Sequence, residues 1–153
     1  MRGILENPDK EITLFINSNG GDTYASMAVV SAIKMHKMVD TVCLGFAASA
    51  ATLVLAFGRD RFIVQDGHVQ LHQMRFGTED STAEEAAEGT KRSVSLGDWT
   101  NRAMVRATKL TLSQVKAGER TTRWFTAKQA IACGLVDGIY TEKRWRAGCK
   151  QGK

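Results

Sequence analysis

Ser49 stands in a run of small residues, Gly45-Phe46-Ala47-Ala48-Ser49-Ala50-Ala51, where a serine hydroxyl can serve as a nucleophile. The segment before it, Thr41-Val42-Cys43-Leu44, suits a buried pleated strand. The segment after it, Ala50 to Phe57, is apolar for about two helical turns and stops at Gly58. Ser49 is therefore expected where a strand turns into a helix. Small neighbours let a substrate backbone approach its hydroxyl. The helix start beside it offers unpaired N–H groups and partial positive charge to an oxyanion. Serine is also an ordinary N-cap, and alanine-rich turns also serve packing alone. Chemistry at Ser49 requires a base, an orienter for that base, and donors for the oxyanion.

The chain has three histidines. His36 falls near the end of a polar helix face and reads as solvated. His68 begins a strand. His72 closes that strand, after Leu71 and before Gln73-Met74, at the strand-end edge where α/β folds place their chemistry. A histidine there can also be purely structural. The turn Ser18-Asn19-Gly20-Gly21-Asp22 supplies backbone N–H groups on a loop able to face Ser49. It is not a phosphate loop, because no GxxxxGK[ST] is present. The three cysteines, Cys43, Cys133 and Cys149, lack metal-type spacing and read as reduced thiols in a cytoplasmic protein. Neither a metal nor an organic cofactor is called for.

These residues need a scaffold. At 153 residues, 43% hydrophobic and 24% charged, the chain is expected to be one soluble domain over residues 1–140 with a basic C-terminal tail over 141–153. No apolar run approaches the roughly 18 residues that span a bilayer, and no signal peptide opens the chain. The net charge of +5 hints at nucleic acid until it is located. Lys143, Arg144, Arg146, Lys150 and Lys153 face one acid, Glu142, after Tyr140. The tail thus holds four of the five charges, a pattern of a solvated end rather than a nucleic-acid site. Glu11–Asn17 reads as a strand buried on both faces. Asp22 or Thr23 caps the next helix, with Met27, Ala28, Ala32 and Ile33 as its apolar stripe. Arg61–Gln65 and His68–His72 read as two short strands joined at Asp66-Gly67. Strand, glycine turn, helix, strand, turn, helix is an α/β layer with parallel pairing.

The second half is headed by three capping boxes: Thr82 with Glu85, Thr111 with Gln114, Thr126 with Gln129. The first opens a long helix to about Lys109, with Val94, Trp99, Ala103, Met104 and Ala107 as an apolar stripe. That stripe suits either another subunit or the helix's own domain. The third heads a short helix ending at Gly134, and Leu135–Tyr140 reads as a final strand.

Four blocks in this order resemble the proteolytic subunit of the Clp protease family. They are Ile16-Asn17-Ser18-Asn19-Gly20-Gly21, Gly45-Phe46-Ala47-Ala48-Ser49-Ala50, Val69-Gln70-Leu71-His72-Gln73, and Phe125-Thr126-Ala127-Lys128-Gln129-Ala130 with Gly134-Leu135-Val136-Asp137. The resemblance spans about Glu11 to Tyr140. It implies an α/β fold, the crotonase-like spiral of ββα units with a projecting handle helix that interleaves two stacked seven-subunit rings. It implies a serine endopeptidase with Ser49 as nucleophile, His72 as general base, and the Gly21 and Ala50 N–H groups as oxyanion hole. Its substrates would be peptides or unfolded proteins in an oligomeric chamber. An ATPase unfoldase is the family's partner, but the chain starts just before the first block and is expected to lack the segment that docks it. No nucleic acid or membrane partner is implied.

The departures bear on the chemistry. Asn19 stands where the family has proline, Ala50 where methionine is common, and Met74 where proline follows His-Gln. The triad aspartate is expected just before Arg123-Trp124, and Thr122 occupies that position. Threonine accepts a hydrogen bond from imidazole but brings no charge, and loss of a triad aspartate costs on the order of 10⁴-fold in turnover. Glu119, one turn earlier, is the alternative third member. Two further readings stay open: a catalytically weak or silent paralogue in a mixed ring, and a crotonase-type acyl-CoA enzyme. The latter relies on acid/base carboxylates, and Asp22 is the one carboxylate in the glycine turns.

Overall fold

A computed structural model describes the backbone of residues 2–73 and 82–151 and the side chains of residues 3–73 and 82–146. Met74, Lys153 and the side chains of Cys149 and Lys150 lie outside these. The central strand is β2 (Val39–Ala48), whose Val39, Thr41, Val42, Cys43, Ala47 and Ala48 are buried. β1 (Ile12–Ser18) runs parallel along one edge, from Ile12 opposite Val39 to Ser18 opposite Ala47, with a bulge between Ile16 and Ser18. The other edge is shared. β3 (Arg61–Ile63) pairs with Thr41–Cys43, and β4 (His68–Leu71) pairs with Phe46–Ala48, both parallel. The two strands joined at Asp66-Gly67 thus lie end to end along β2 instead of against each other. Beyond β3 lies β6 (Gly138–Ile139), in parallel. Beyond β4 lies β5 (Arg123–Thr126), antiparallel, with Leu71 opposite Arg123. The sheet therefore forks from β2, and the fork carrying β4 and β5 presents the candidate chemistry.

The helices follow from their sequences. The short α1 (Arg2–Leu5) precedes β1. α2 (Thr23–His36) is capped by Asp22, which accepts a hydrogen bond from Ala25 N at 2.6 Å. All seven residues of α3 (Ala50–Ala56) are buried, which accounts for its wholly apolar face apart from Thr52. All three capping boxes form, at the starts of α4 (Ala83–Ala107), α5 (Leu112–Thr121) and α6 (Ala127–Ala132). α4 is 25 residues, roughly 37 Å long at 1.5 Å per residue. Its first thirteen residues contain none that is buried, whereas Leu96, Asn101, Ala103 and Met104 are. The helix thus anchors by its C-terminal half, while its N-terminal half is largely exposed, with Tyr24 of α2 beside Glu85, Glu88 and Arg92. This is a mixed α/β fold of the kind the resemblance implies.

Several expectations are corrected. β1 is not buried on both faces: Ile16 is buried, Ile12 and Leu14 are partly so, and Thr13, Phe15 and Asn17 are exposed. It lies at the sheet's edge, and on its outer face Phe15 meets the Tyr140 ring at 5.7 Å and the Trp145 ring at 5.4 Å. In α2 the inward residues are Val30, Ala32 and Ile33, with Ala28 exposed. On α4, Val94 is 63% exposed and Leu96 takes the inward place. His36 is not simply solvated, because its Nε2 meets the Asn7 carbonyl at 2.7 Å and its Nδ1 accepts from Met38 N. Residues after Tyr140 form α7 (Glu142–Gln151); its described side chains, 142–146, are exposed, and Arg144 lies 3.8 Å above the Phe62 ring. Cys43 and Cys133 are free thiols, and burial pushes Cys43 up to about 11. No described helix is long and apolar enough to cross a membrane.

Candidate active site

Ser49 occupies the turn from β2 into α3 at φ 58° and ψ −128°, a conformation that non-glycine residues rarely adopt. It is the N-cap residue by position, yet its side chain makes no capping hydrogen bond. The hydroxyl is left for other use, which removes the ordinary explanation for a serine there. The elbow is pinned from both sides. Ser49 N donates to the Gln70 carbonyl at 3.1 Å, and Thr52 N to the Ser49 carbonyl at 3.0 Å. The buried Thr52 hydroxyl lies 2.9 Å from both the Ala47 and Gln70 carbonyls. A strained serine on a rigid strand-to-helix turn is how nucleophile elbows expose a reactive oxygen.

The glycine loop closes on this elbow. Gly20 and Gly21 have φ of 91° and 138°. A Cβ on Gly20 would come within 2.8 Å of Ser49 Cβ and 2.9 Å of Ala50 N, so only glycine permits the approach. The loop is held by Gly20 N donating to Ser18 Oγ at 3.1 Å and by Asn17 Oδ1 accepting from Phe46 N at 3.2 Å. Gly21 is exposed, and a Cβ on it would meet nothing within 4 Å. The sequence singled out the pair; the close approach belongs to Gly20.

Ser49, Ala50, His72 and Glu119 line one small cavity of about 40 Å³, walled by apolar Leu53, Leu71, Met104 and Val115. His72 is partly buried just past β4, and its Nδ1 is 2.6 Å from the Gln73 carbonyl. A carbonyl only accepts, so Nδ1 carries a proton, and in the neutral ring Nε2 is the nitrogen with the free lone pair. The last turn of α5 clasps the same segment through Gln73 N donating to the Glu119 carbonyl at 3.0 Å. Burial pushes the Glu119 carboxyl above its ordinary range, opposed by a hydrogen bond from Asn101 and the charge of Lys116. Thr122 is the exposed C-cap of α5, at φ 51°, and does not line the cavity. Asp22 is occupied as the cap of α2. Asn101 of α4 is buried, and its Oδ1 has no hydrogen-bond partner among the described residues; three polar residues, Thr100, Asn101 and Arg102, separate Trp99 from Ala103, so the sequence did not single it out.

The elements that hold these residues are also those on which the sequence blocks lie. A family model described as Clp protease matches residues 4–143 of the 153. It takes in every strand and the whole of helices α2 to α6. With that coverage, the chain belongs to the Clp protease family, a family of peptidases.

Proposed function

We propose that the protein is a serine endopeptidase of the Clp type, cutting peptides or unfolded chains inside an oligomeric chamber in the cytoplasm. The observation that carries this reading is the elbow: Ser49 holds a costly backbone conformation, uncommitted to capping, beside His72 in one cavity. Ser49 Oγ attacks the scissile carbonyl carbon while His72 Nε2 takes its proton. The oxyanion is received by the Gly21 and Ala50 N–H groups. Collapse breaks the C–N bond, and His72 gives the proton to the departing amine. Water then cleaves the acyl-enzyme, with His72 taking its proton and returning one to Ser49. The Gln73 carbonyl holds the imidazole tautomer, and Glu119 supplies the negative charge that offsets the imidazolium. Glu119 is favoured over Thr122 because it carries charge and lines the cavity, whereas Thr122 is exposed outside it. The exposed N-terminal half of α4 is the surface available for joining subunits into rings.

One observation favours the silent-subunit reading: His72 Nδ1 is bonded to its neighbour's carbonyl and not to a carboxylate. Turnover of a fluorogenic peptide decides between the two. Active cleavage is expected for the wild type, with loss to background in Ser49→Ala, a roughly 10²-fold or greater fall in Glu119→Gln, and little change in Thr122→Asp. A wild type without activity, or an undiminished Ser49→Ala, would leave the chemistry to other residues or other subunits. The acyl-CoA reading is not favoured, because the chain belongs to the Clp protease family and Asp22 is used to cap α2.

A further inference from the structure

The chain has four asparagines, and three of them are chemically guarded. Asn7 is followed by Pro8, which has no backbone N–H. Asn17 lies in β1, and its Oδ1 accepts from Phe46 N at 3.2 Å. Asn101 is buried within α4. Asn19 is the exception. It is exposed between the end of β1 and the start of α2, its side chain has no hydrogen-bond partner among the described residues, and Gly20 follows it. The backbone nitrogen of the next residue can reach an asparagine's side-chain carbonyl carbon, closing a five-membered ring. A side chain on that next residue crowds the approach, and glycine has none.

We propose that Asn19-Gly20 is a self-modification site whose products disable the oxyanion loop beside Ser49. The Gly20 nitrogen bonds to the Asn19 side-chain carbonyl carbon and gives up its proton. The bond from that carbon to the amide nitrogen breaks, and ammonia leaves with the proton. The cyclic imide then takes up one water at either of its two carbonyls. One opening gives aspartate at position 19; the other gives isoaspartate, in which the main chain runs through the former side chain. Water is the sole co-reactant. Gly20 N–H donates to Ser18 Oγ at 3.1 Å, and Ser18 is only partly buried. That single bond to a rotatable hydroxyl slows the attack without barring it. The consequence follows from how closely Gly20 sits against the elbow. One added atom there would lie 2.6 Å from the Ala48 carbonyl oxygen and 2.8 Å from Ser49 Cβ. Isoaspartate lengthens the main chain between residues 19 and 20 by one bond, about 1.5 Å, where the loop has no room to absorb it. Either product also adds a negative charge to the loop whose Gly21 N–H is assigned above to the oxyanion, and a like charge opposes the one that develops there. The loss of activity rests on that assignment; the conversion does not.

The experiment holds the assembled full chain at mildly alkaline pH and samples it for tryptic mapping and for turnover of a fluorogenic peptide. The tryptic peptide from Glu11 to Lys34 carries Asn17 and Asn19, which fragmentation separates, and isoaspartate is read by enzymatic methylation. Conversion is expected at Asn19 and not at Asn17. Molecules carrying isoaspartate should be slower by roughly 10²-fold, the loss expected for a displaced oxyanion donor, so turnover should decline in step with the converted fraction. Asn19→Gln, whose longer side chain would have to close a six-membered ring, should keep both its amide and its turnover over the same period. An Asn19 that stays intact while a synthetic peptide of residues 12–27 converts overturns the inference, and so does full turnover in the converted protein. Fresh protein without turnover overturns the peptidase reading instead, and the mass readout still decides the conversion.

Discussion

At φ 58° and ψ −128°, Ser49 carries a local cost on the order of 1–3 kcal/mol that glycine would not incur. A glycine also frees the unfolded chain, at a cost of about 0.5–1 kcal/mol. The first effect is the larger, so Ser49→Gly should raise the denaturant midpoint by the equivalent of about 1 kcal/mol while removing peptidase activity. A variant that is less stable than wild type would mean that the elbow is not strained. Residue by residue, the sequence was most legible where the reason is local. Ser49 could be located because small residues and a helix start surround it, and the glycine loop because two adjacent glycines imply positive φ. The third position was not legible. Which of Thr122 and Glu119 reaches His72 depends on where α5 ends and how its last turn clasps Gln73, and no local pattern encodes that.

Among elements, the three capping boxes could be read because each is closed within four residues. The burial of β1 could not, because its outer face is set by Tyr140 and Trp145 from the far end of the chain. The clamp that ties distant elements together is Arg61 at the start of β3. Its guanidinium meets Asp137 at 2.6 Å and 2.9 Å, the Gly134 carbonyl at 3.0 Å, and the Ala107 carbonyl at the end of α4. Hydrogen bonding from Arg61 holds the Asp137 carboxyl below its ordinary range. A carboxylate depressed in the folded state adds stability above its unfolded pKa of about 3.9, and that stability is lost as pH falls through the folded value. Asp137→Asn should therefore be less stable than wild type at neutral pH, with the gap closing below about pH 4. Denaturant melts at pH 7 and pH 3 measure it. A gap of equal size at both would show that Asp137 contributes by shape alone.

For the molecule as a whole, the sheet forks from β2, and the side of the fork through β4 and β5 brings Ser49, His72 and Glu119 to one cavity, while the N-terminal half of α4 holds no buried residue. The parallel α/β order was visible in the alternation of strand and helix patterns. The fork was not, because the strands on either side of Asp66-Gly67 pair with successive stretches of β2, a long-range choice. What joins fold to chemistry is the claim that Ser49 is a nucleophile activated by His72. The most direct test is labelling of the folded protein with a fluorophosphonate and mapping of the adduct by mass spectrometry. The adduct is expected on Ser49, absent in Ser49→Ala and formed far more slowly in His72→Ala. An unmodified Ser49 in the folded, assembled protein, or an adduct on another residue, would contradict it.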